Sequence, residues 1–323
     1  MRFPVIGLLA LIVAGFPMVA LGQTDPWPTK PIRAIVPFAP GAAADTAGRA
    51  VLENLARQLG QPIVIENRPG AGGTTGSDAV AHARPDGYTI LVHSNSHTVA
   101  GSVYSDLKYD PAQDLAGVTP LVAMAQVFVT SSAKGIRNLR ALVEVAKANP
   151  GSINYASAGS GSATHLGAER LRIAGGFTAT HIPLKATSEA LTEVLAGRVD
   201  YFLSPIGLVG SSLKSGRLVA LAIASKKRSG ALPDVPTTSE AGLENAEYDG
   251  WIGMFVPAKT PRYIINRLNE ETAIALRSPD VQARLDALVM TPMSMPPDEF
   301  RTLLKSEFDM NAALVKAAGL RPN

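Results

Sequence analysis

The stretch IRAIVPFAPGAAADTAGRAVLENLARQLGQPIVIEN, residues 32–67, decides the fold. It opens on β-branched and apolar residues (IRAIVPFA, 32–39) and passes through a turn of small residues. It then runs as a helical pattern (DTAGRAVLENLARQLG, 45–60) and returns to a strand (PIVIEN, 62–67). Strand, helix and strand in that order is the rhythm of a parallel sheet. A Gly-rich turn, a short helix near 74–83 and the strand YTILVHS (88–94) extend it.

After LVAMAQVFVTSS (121–132) the rhythm restarts with a helix at 138–149, the strand INYAS (153–157), a helix at 164–174 and the strand ATHIPL (179–184). A helix at 188–198 and the strands VDYFLS (199–204) and LVALAIAS (218–225) complete a second predicted α/β unit. The stretch ALPDVPTTSEAG (231–242) reads as a loop. The end differs, because GWIGMFVPA (250–258) is followed by helical patterns only, at 261–288 and 297–319. Pro261 and Pro297 open them, where a helix tolerates proline. A tail of one strand and two helices cannot bury itself alone, so it is expected to pack on one of the units. If that is the first, the chain crosses between units near 121–130 and 246–256. Two crossings make a hinge, and a hinge between α/β units implies a cleft that opens and closes. The expected organisation is a leader at 1–22, a first domain from 23–125 with 248–323, and a second from 126–247.

The first residues, MRFPVIGLLALIVAGFPMVALG, carry Arg2 before an apolar run that ends on the small residues Ala20-Leu21-Gly22. That pattern predicts a signal peptide cleaved before Gln23 and a periplasmic mature protein. Gly15 and Pro17 interrupt the run, and no later segment reaches the roughly 18 apolar residues of a membrane span. The absence of cysteine excludes disulfides, thiolate nucleophiles and cysteine-ligated metals. The formal net charge of +3 is spread along the chain with no basic run interleaved with aromatics, so nucleic acid is not an expected partner.

Three small-residue turns follow strands: FAPGAAAD (38–45), NRPGAGGTTG (67–76) and ASAGSGSATH (156–165). None is a dinucleotide fingerprint, because Thr75 and Thr164 stand where the third glycine would be, and none ends in Gly-Lys-Ser/Thr. The first and third join a strand's carboxyl end to a helix start, where open α/β sheets bind ligands and unpaired N–H groups favour an anion. Neither holds Arg or Lys, so a carboxylate there would be held by backbone N–H groups and hydroxyls. The competing reading is a pair of tight turns with capping residues, Asp45 being an N-cap.

Catalytic patterns are weaker. Gly-x-Ser-x-Gly is absent, and the Ser-x-x-Lys pairs Ser131/Lys134 and Ser211/Lys214 lack the Ser-Asp-Asn and Lys-Thr-Gly partners of penicillin-recognising enzymes. His93 and His97 are four apart but lack the glutamate of a zinc helix, so no metal and no cofactor are expected. An enzyme on this scaffold would have to rely on His97, His165 or Asp45.

The blocks WPTKPIRAIVPFAPGAAAD, ENRPGAGGTTGSDAVAHARPDGYTILV, KYDPAQDLAGVTPL, INYASAGSGSATHLGAERL and SEALTEVLAGRVDYF occur in order along nearly the whole mature chain. In these blocks the sequence resembles the tripartite tricarboxylate transporter receptors, the Bug-type periplasmic solute-binding proteins; NRPGAGG followed by PDGYTIL is the specific signature. The resemblance implies a type II periplasmic binding fold, with two doubly wound α/β domains joined by two crossing strands around one carboxylate. It implies a first arm of Pro40, Gly41, Ala42, Ala43, Ala44 and Asp45. The second arm is Ser157, Ala158, Gly159, Ser160, Gly161, Thr164 and His165. Ser94, Lys185 and Ser204 complete the implied ligand set, with no catalytic residue and no metal. The partners implied are a small organic carboxylate and membrane permease subunits, the receptor being a monomer; a sensor subunit for a membrane kinase is the alternative.

The chain departs from the family at Ala42, where a second glycine is usual, and at Leu184-Lys185-Ala186-Thr187, where Tyr-Lys-Gly-Gly is. Ser204-Pro205 stands where an acidic residue often follows the strand, which disfavours a simple amino acid as ligand. HSNSHTVAGSVYSD (93–106) lacks the usual Asn-Pro and leaves the distal pocket unread.

Overall fold

The computed structural model describes residues 27–320, so the expected leader and its cleavage point lie outside the described residues. Among the described residues, eleven strands form two sheets. One contains β1 (Ile32–Val36), β2 (Ile63–Asn67), β3 (Thr89–Ser94), β4 (Leu115–Met124), β10 (Gly250–Pro257) and β11 (Met290–Pro292). The other contains β5 (Gln126–Ser131), β6 (Asn154–Ser157), β7 (Thr180–Pro183), β8 (Tyr201–Pro205) and β9 (Leu218–Ile223). Their orders are β11-β4-β10-β3-β1-β2 and β7-β6-β8-β5-β9.

In each sheet the βαβ part is parallel, β1 with β2 and β3, and β6 with β7 and β8. Each sheet also contains an antiparallel strand where the chain changes units. β10 runs between β3 and β4, and β5 between β8 and β9. The first crossing is the single residue Ala125 between β4 and β5. At the second, Tyr248 N–H donates to Ala224 O at 2.8 Å and β10 begins two residues later.

Helices cover the sheets: α1 (Ala43–Leu59), α2 (Thr74–Ala81), α3 (Ala100–Val103), α4 (Leu139–Ala148), α5 (Ala163–Gly175), α6 (Thr187–Leu195) and α7 (Ile206–Lys214). The tail adds α8 (Arg262–Leu276), α9 (Pro279–Ala287) and α10 (Pro297–Ala317). The expected single helix over 261–288 is broken by Pro279, which begins α9, and β11 follows where only helix was expected. α7 was not anticipated either.

β10 is buried along its whole length, as a central strand covered on both faces must be. α10 docks on this sheet through Phe300, which fills notches at Gly117 and Gly253; a Cβ on Gly253 would come within 2.8 Å of the ring. The tail does not rest on the first unit alone. Phe300 and Leu304 pack with Trp251 and Phe255, whereas Leu314 and Val315 join the core of the second unit with Phe128, Leu166 and Tyr248. The last helix is thus shared between the two cores.

Candidate functional site

The first arm is the turn between β1 and α1. Its chain reverses at Gly41, and α1 starts at Ala43 with Ala42 as N-cap and no side-chain cap. Helix geometry leaves the N–H groups of Ala43, Ala44 and Asp45 without intrahelical acceptors. Pro40 and Gly41 are exposed and Ala42 and Ala43 half-buried, so the turn lies at an open margin of the unit, with Ala44 and Asp45 buried behind it.

Asp45 is not the N-cap that one reading allowed. It is the third helical residue, buried, and its carboxylate reaches back to accept the Gly41 N–H at 2.9 Å. It also accepts from Arg49 Nε at 3.0 Å and from Asn67 Nδ2 at 2.9 Å, and Asn67 Nδ2 in turn holds Phe38 O at 3.0 Å. Burial by itself would raise the Asp45 pKa, but the bonds from Arg49, Gly41 and Asn67 outweigh it and hold the carboxyl below the usual aspartate range. Asp45 therefore shapes the arm, and its oxygens are already committed.

The second arm, between β6 and α5, is largely closed on itself. Ser157 Oγ lies 2.6 Å from His181 Nε2 and accepts the Gly159 N–H at 3.1 Å. Ala158 N–H donates to Thr164 Oγ1 at 2.9 Å, and Gly161 N–H to His165 Nδ1 at 3.0 Å. Ser162 caps α5 by accepting the His165 N–H at 3.2 Å. The open donors on this side are the N–H groups of Ala163 and Thr164, which have no intrahelical acceptor.

Because Gly161 occupies His165 Nδ1, the ring hydrogen of His165 is on Nε2. The ring stacks on His181 with centroids 3.8 Å apart. Burial pushes the His165 pKa down to about 3, with His181 and Arg172 lowering it further, and burial pushes that of His181 down to about 4 against the raising effect of Glu169. Both are neutral packing elements of the arm. His93 and His97 are likewise core residues, their rings set among Phe38, Phe255 and Phe308. The Ser131 hydroxyl caps a turn and Lys134 pairs with Asp200 at 2.7 Å, so this Ser-x-x-Lys pair is structural.

Of the outlying expected residues, Lys185 is exposed and follows Leu184, whose carbonyl lies 3.5 Å from where a Cβ on Gly159 would sit. Ser204 is buried, its hydroxyl donating to Pro205 O at 3.1 Å. Ser94 Oγ is 2.8 Å from Ser96 Oγ at the end of β3.

The segment that sequence reasoning left unread supplies a link between the units. Tyr104, just past α3, donates to Ser160 O at 3.3 Å, and a Cβ on Gly72 would be 2.6 Å from its hydroxyl. Val103 beside it would be 2.9 Å from a Cβ on Gly161. The Gly-rich turn at 67–76 is thereby brought to the second arm through Tyr104, a residue with no turn or motif signal of its own. Removing the hydroxyl in Tyr104→Phe deletes one net hydrogen bond of about 0.5–1.5 kcal/mol. Ligand affinity is expected to fall about 2–10-fold with the melting temperature nearly unchanged, read by titration calorimetry.

A chain of this architecture has counterparts among known proteins. The sequence model of the TctC family, the tripartite tricarboxylate transporter family receptors, matches residues 47–320. The chain belongs to this receptor family. The receptor superposes on BugD, a periplasmic binding protein, with a TM-score of 0.82, 31% identity, and 92% of this chain and 100% of that chain covered. MatC (Rpa3494) from Rhodopseudomonas palustris, solved with bound malate, gives 0.80 at 32% identity over 90% of this chain and 100% of the other. Rpa4515 of R. palustris, solved with adipate, gives 0.84 at 27% identity over 92% and 100%. Receptors of this family are periplasmic solute-binding proteins.

Proposed function

We propose that this receptor closes its two units, 23–125 with 248–323 and 126–247, on a small organic carboxylate and delivers it to the permease subunits of a tripartite transporter. The uncapped start of α1 carries the reading: a helix end with free N–H groups, no side-chain cap, and an aspartate whose charge is turned inward onto Arg49. An anion at such a helix start gains roughly 0.3–1 kcal/mol from the dipole at the surface and up to about 2 when partly buried. Donors at Ala43, Ala44 and Asp45 on one side, and Ala163 and Thr164 on the other, suit a carboxylate held by backbone. Malate in MatC and adipate in Rpa4515 support the same ligand class here. Lys185, exposed next to the second arm, is placed to meet a second acidic group on the ligand. Ser204, in place of an acidic residue, leaves an ammonium group without a counter-charge.

No covalent step is proposed. Ser157 is fully buried beside His181, and Asp45 is engaged on three sides, so neither presents a free nucleophile or base.

The test is a thermal-unfolding screen of refolded, ligand-stripped protein against mono-, di- and tricarboxylates, aromatic acids and amino acids. A ligand at 100 times its Kd adds about 2.7 kcal/mol, and each kcal/mol moves a protein of this size by roughly 2–4 °C. A shift confined to one carboxylate class is the expected result, and no shift with any carboxylate would overturn the reading. Cross-linking in membranes distinguishes permease delivery from docking on a sensor kinase.

A further inference from the structure

The second crossing runs beneath α10. Tyr248 is anchored in the second unit's core and Trp251 in the core under α10, so any rotation of one unit against the other bends the chain between these two side chains. Glu307 of α10 sits against this bend. Its carboxyl accepts a hydrogen bond from Trp251 Nε1 at 2.7 Å and lies 3.2 Å from Thr98 Oγ1.

The Thr98 contact distinguishes the two protonation states of Glu307. The Thr98 hydroxyl has one hydrogen, and Asn95 O is its nearer acceptor at 2.8 Å. Thr98 Oγ1 itself accepts from Asn311 Nδ2 at 2.8 Å, which leaves it one lone pair. A carboxylate at Glu307 meets a hydroxyl whose hydrogen is already committed, whereas a carboxylic acid donates to the remaining lone pair and completes the set. The crossing is tied into the same cluster, because Asn95 Nδ2 donates to Asp249 O at 3.1 Å.

We propose that Glu307 is the proton-binding switch of the hinge: with a proton on its carboxyl the crossing is held in the arrangement described here, and loss of that proton loosens it so that the cleft opens. The inference rests on the receptor reading above and adds a regulator of the same cleft. Burial pushes the Glu307 pKa up to about 7 against the lowering effect of the bond from Trp251, with the negative charge of Asp249 adding to the rise. A carboxyl whose pKa is raised in the arrangement described here favours that arrangement at low pH, and the preference is lost as pH climbs through the raised value. The charged groups around the crossing are Glu247 and Asp249 on it, with Lys226 and Arg170 of opposite sign acting on Asp249. His97, whose ring faces Phe308 of α10, is held neutral with a pKa of about 3 and does not titrate in this range.

Trp251 reports the proton directly. With Trp27→Phe leaving it the lone indole, fluorescence of the ligand-free protein is expected to show a one-proton transition between about pH 5.5 and about pH 8.5, absent when Glu307→Gln is added. Small-angle scattering of the same ligand-free proteins is expected to show a larger radius at the upper pH than at the lower, with Glu307→Gln compact at both. The inference is overturned if no transition occurs, if it survives Glu307→Gln but disappears in Asp249→Asn, or if the radius does not change with pH. Neither measurement needs a ligand, so a failed carboxylate screen would leave both readouts intact.

Discussion

Gly161→Leu is expected to weaken ligand capture strongly while leaving both units folded. Gly161 sits at φ +74°, in the left-handed region that disfavours any side chain, and a Cβ there comes within 2.9 Å of Val103 Cγ1 across the units. The backbone strain costs on the order of 1 kcal/mol, and the side chain adds about 1–3 kcal/mol of overpacking that opening the cleft relieves. The overpacking falls on the arrangement in which Gly161 meets Val103, so it appears as lost affinity of about 5- to 150-fold, while the backbone strain appears as a modest loss of melting temperature. Titration calorimetry with the carboxylate giving the largest thermal shift checks this. Affinity within about threefold of the parent would remove Gly161 from the closing surface. Gly159→Ala is the milder comparison, since at φ +107° its nearest new neighbour is Leu184 O at 3.5 Å.

Asp45→Ala is expected to damage the first arm and stability together. The substitution leaves the Gly41 N–H and Asn67 Nδ2 without their acceptor and releases Arg49, which is about half exposed and regains water. A full buried-pair penalty does not apply with one partner solvated; losing charge-assisted bonds at a buried carboxylate costs about 2–3 kcal/mol. The sign with pH follows from the lowered Asp45 pKa. The stabilisation is complete above the ordinary aspartate range and is lost as pH falls through the lowered folded value. Chemical denaturation is therefore expected to show a large difference between parent and variant at neutral pH that shrinks in acid. Binding should fall as well, because Gly41 is no longer fixed against α1. A variant as stable as the parent at neutral pH would show that the turn keeps its shape without Asp45.

The alternation of strand and helix was legible because each βαβ segment carries its own periodicity, as in residues 32–67 and 153–184. Both turns were legible for the same local reason: a run of small residues marks the break between a strand end and a helix start. What lay beyond the sequence was set by contacts distant along the chain. Asp45 reads locally as a cap, but Asn67, at the end of the neighbouring strand, helps draw its carboxylate inward. His165 reads as a ligand contact, yet it accepts the Gly161 N–H and stacks on His181, sixteen residues away on β7. Tyr104 has no local signal, since its role depends on Gly72 and Ser160 meeting around it. The shared last helix was missed because nothing in its pattern says that Phe300 and Leu314 serve different cores.

The position of β10 also sets an order of assembly. It is near the end of the chain but in the middle of its sheet, hydrogen-bonded to β3 on one side and β4 on the other. Until Gly250–Pro257 has been made, β3 and β4 have no strand to join them, and the first sheet is two pieces with bare edges. The second sheet uses only strands between Gln126 and Ile223 and meets no such delay. Pairing across so long an intervening segment closes a large loop before any bond repays it, which makes the step slow.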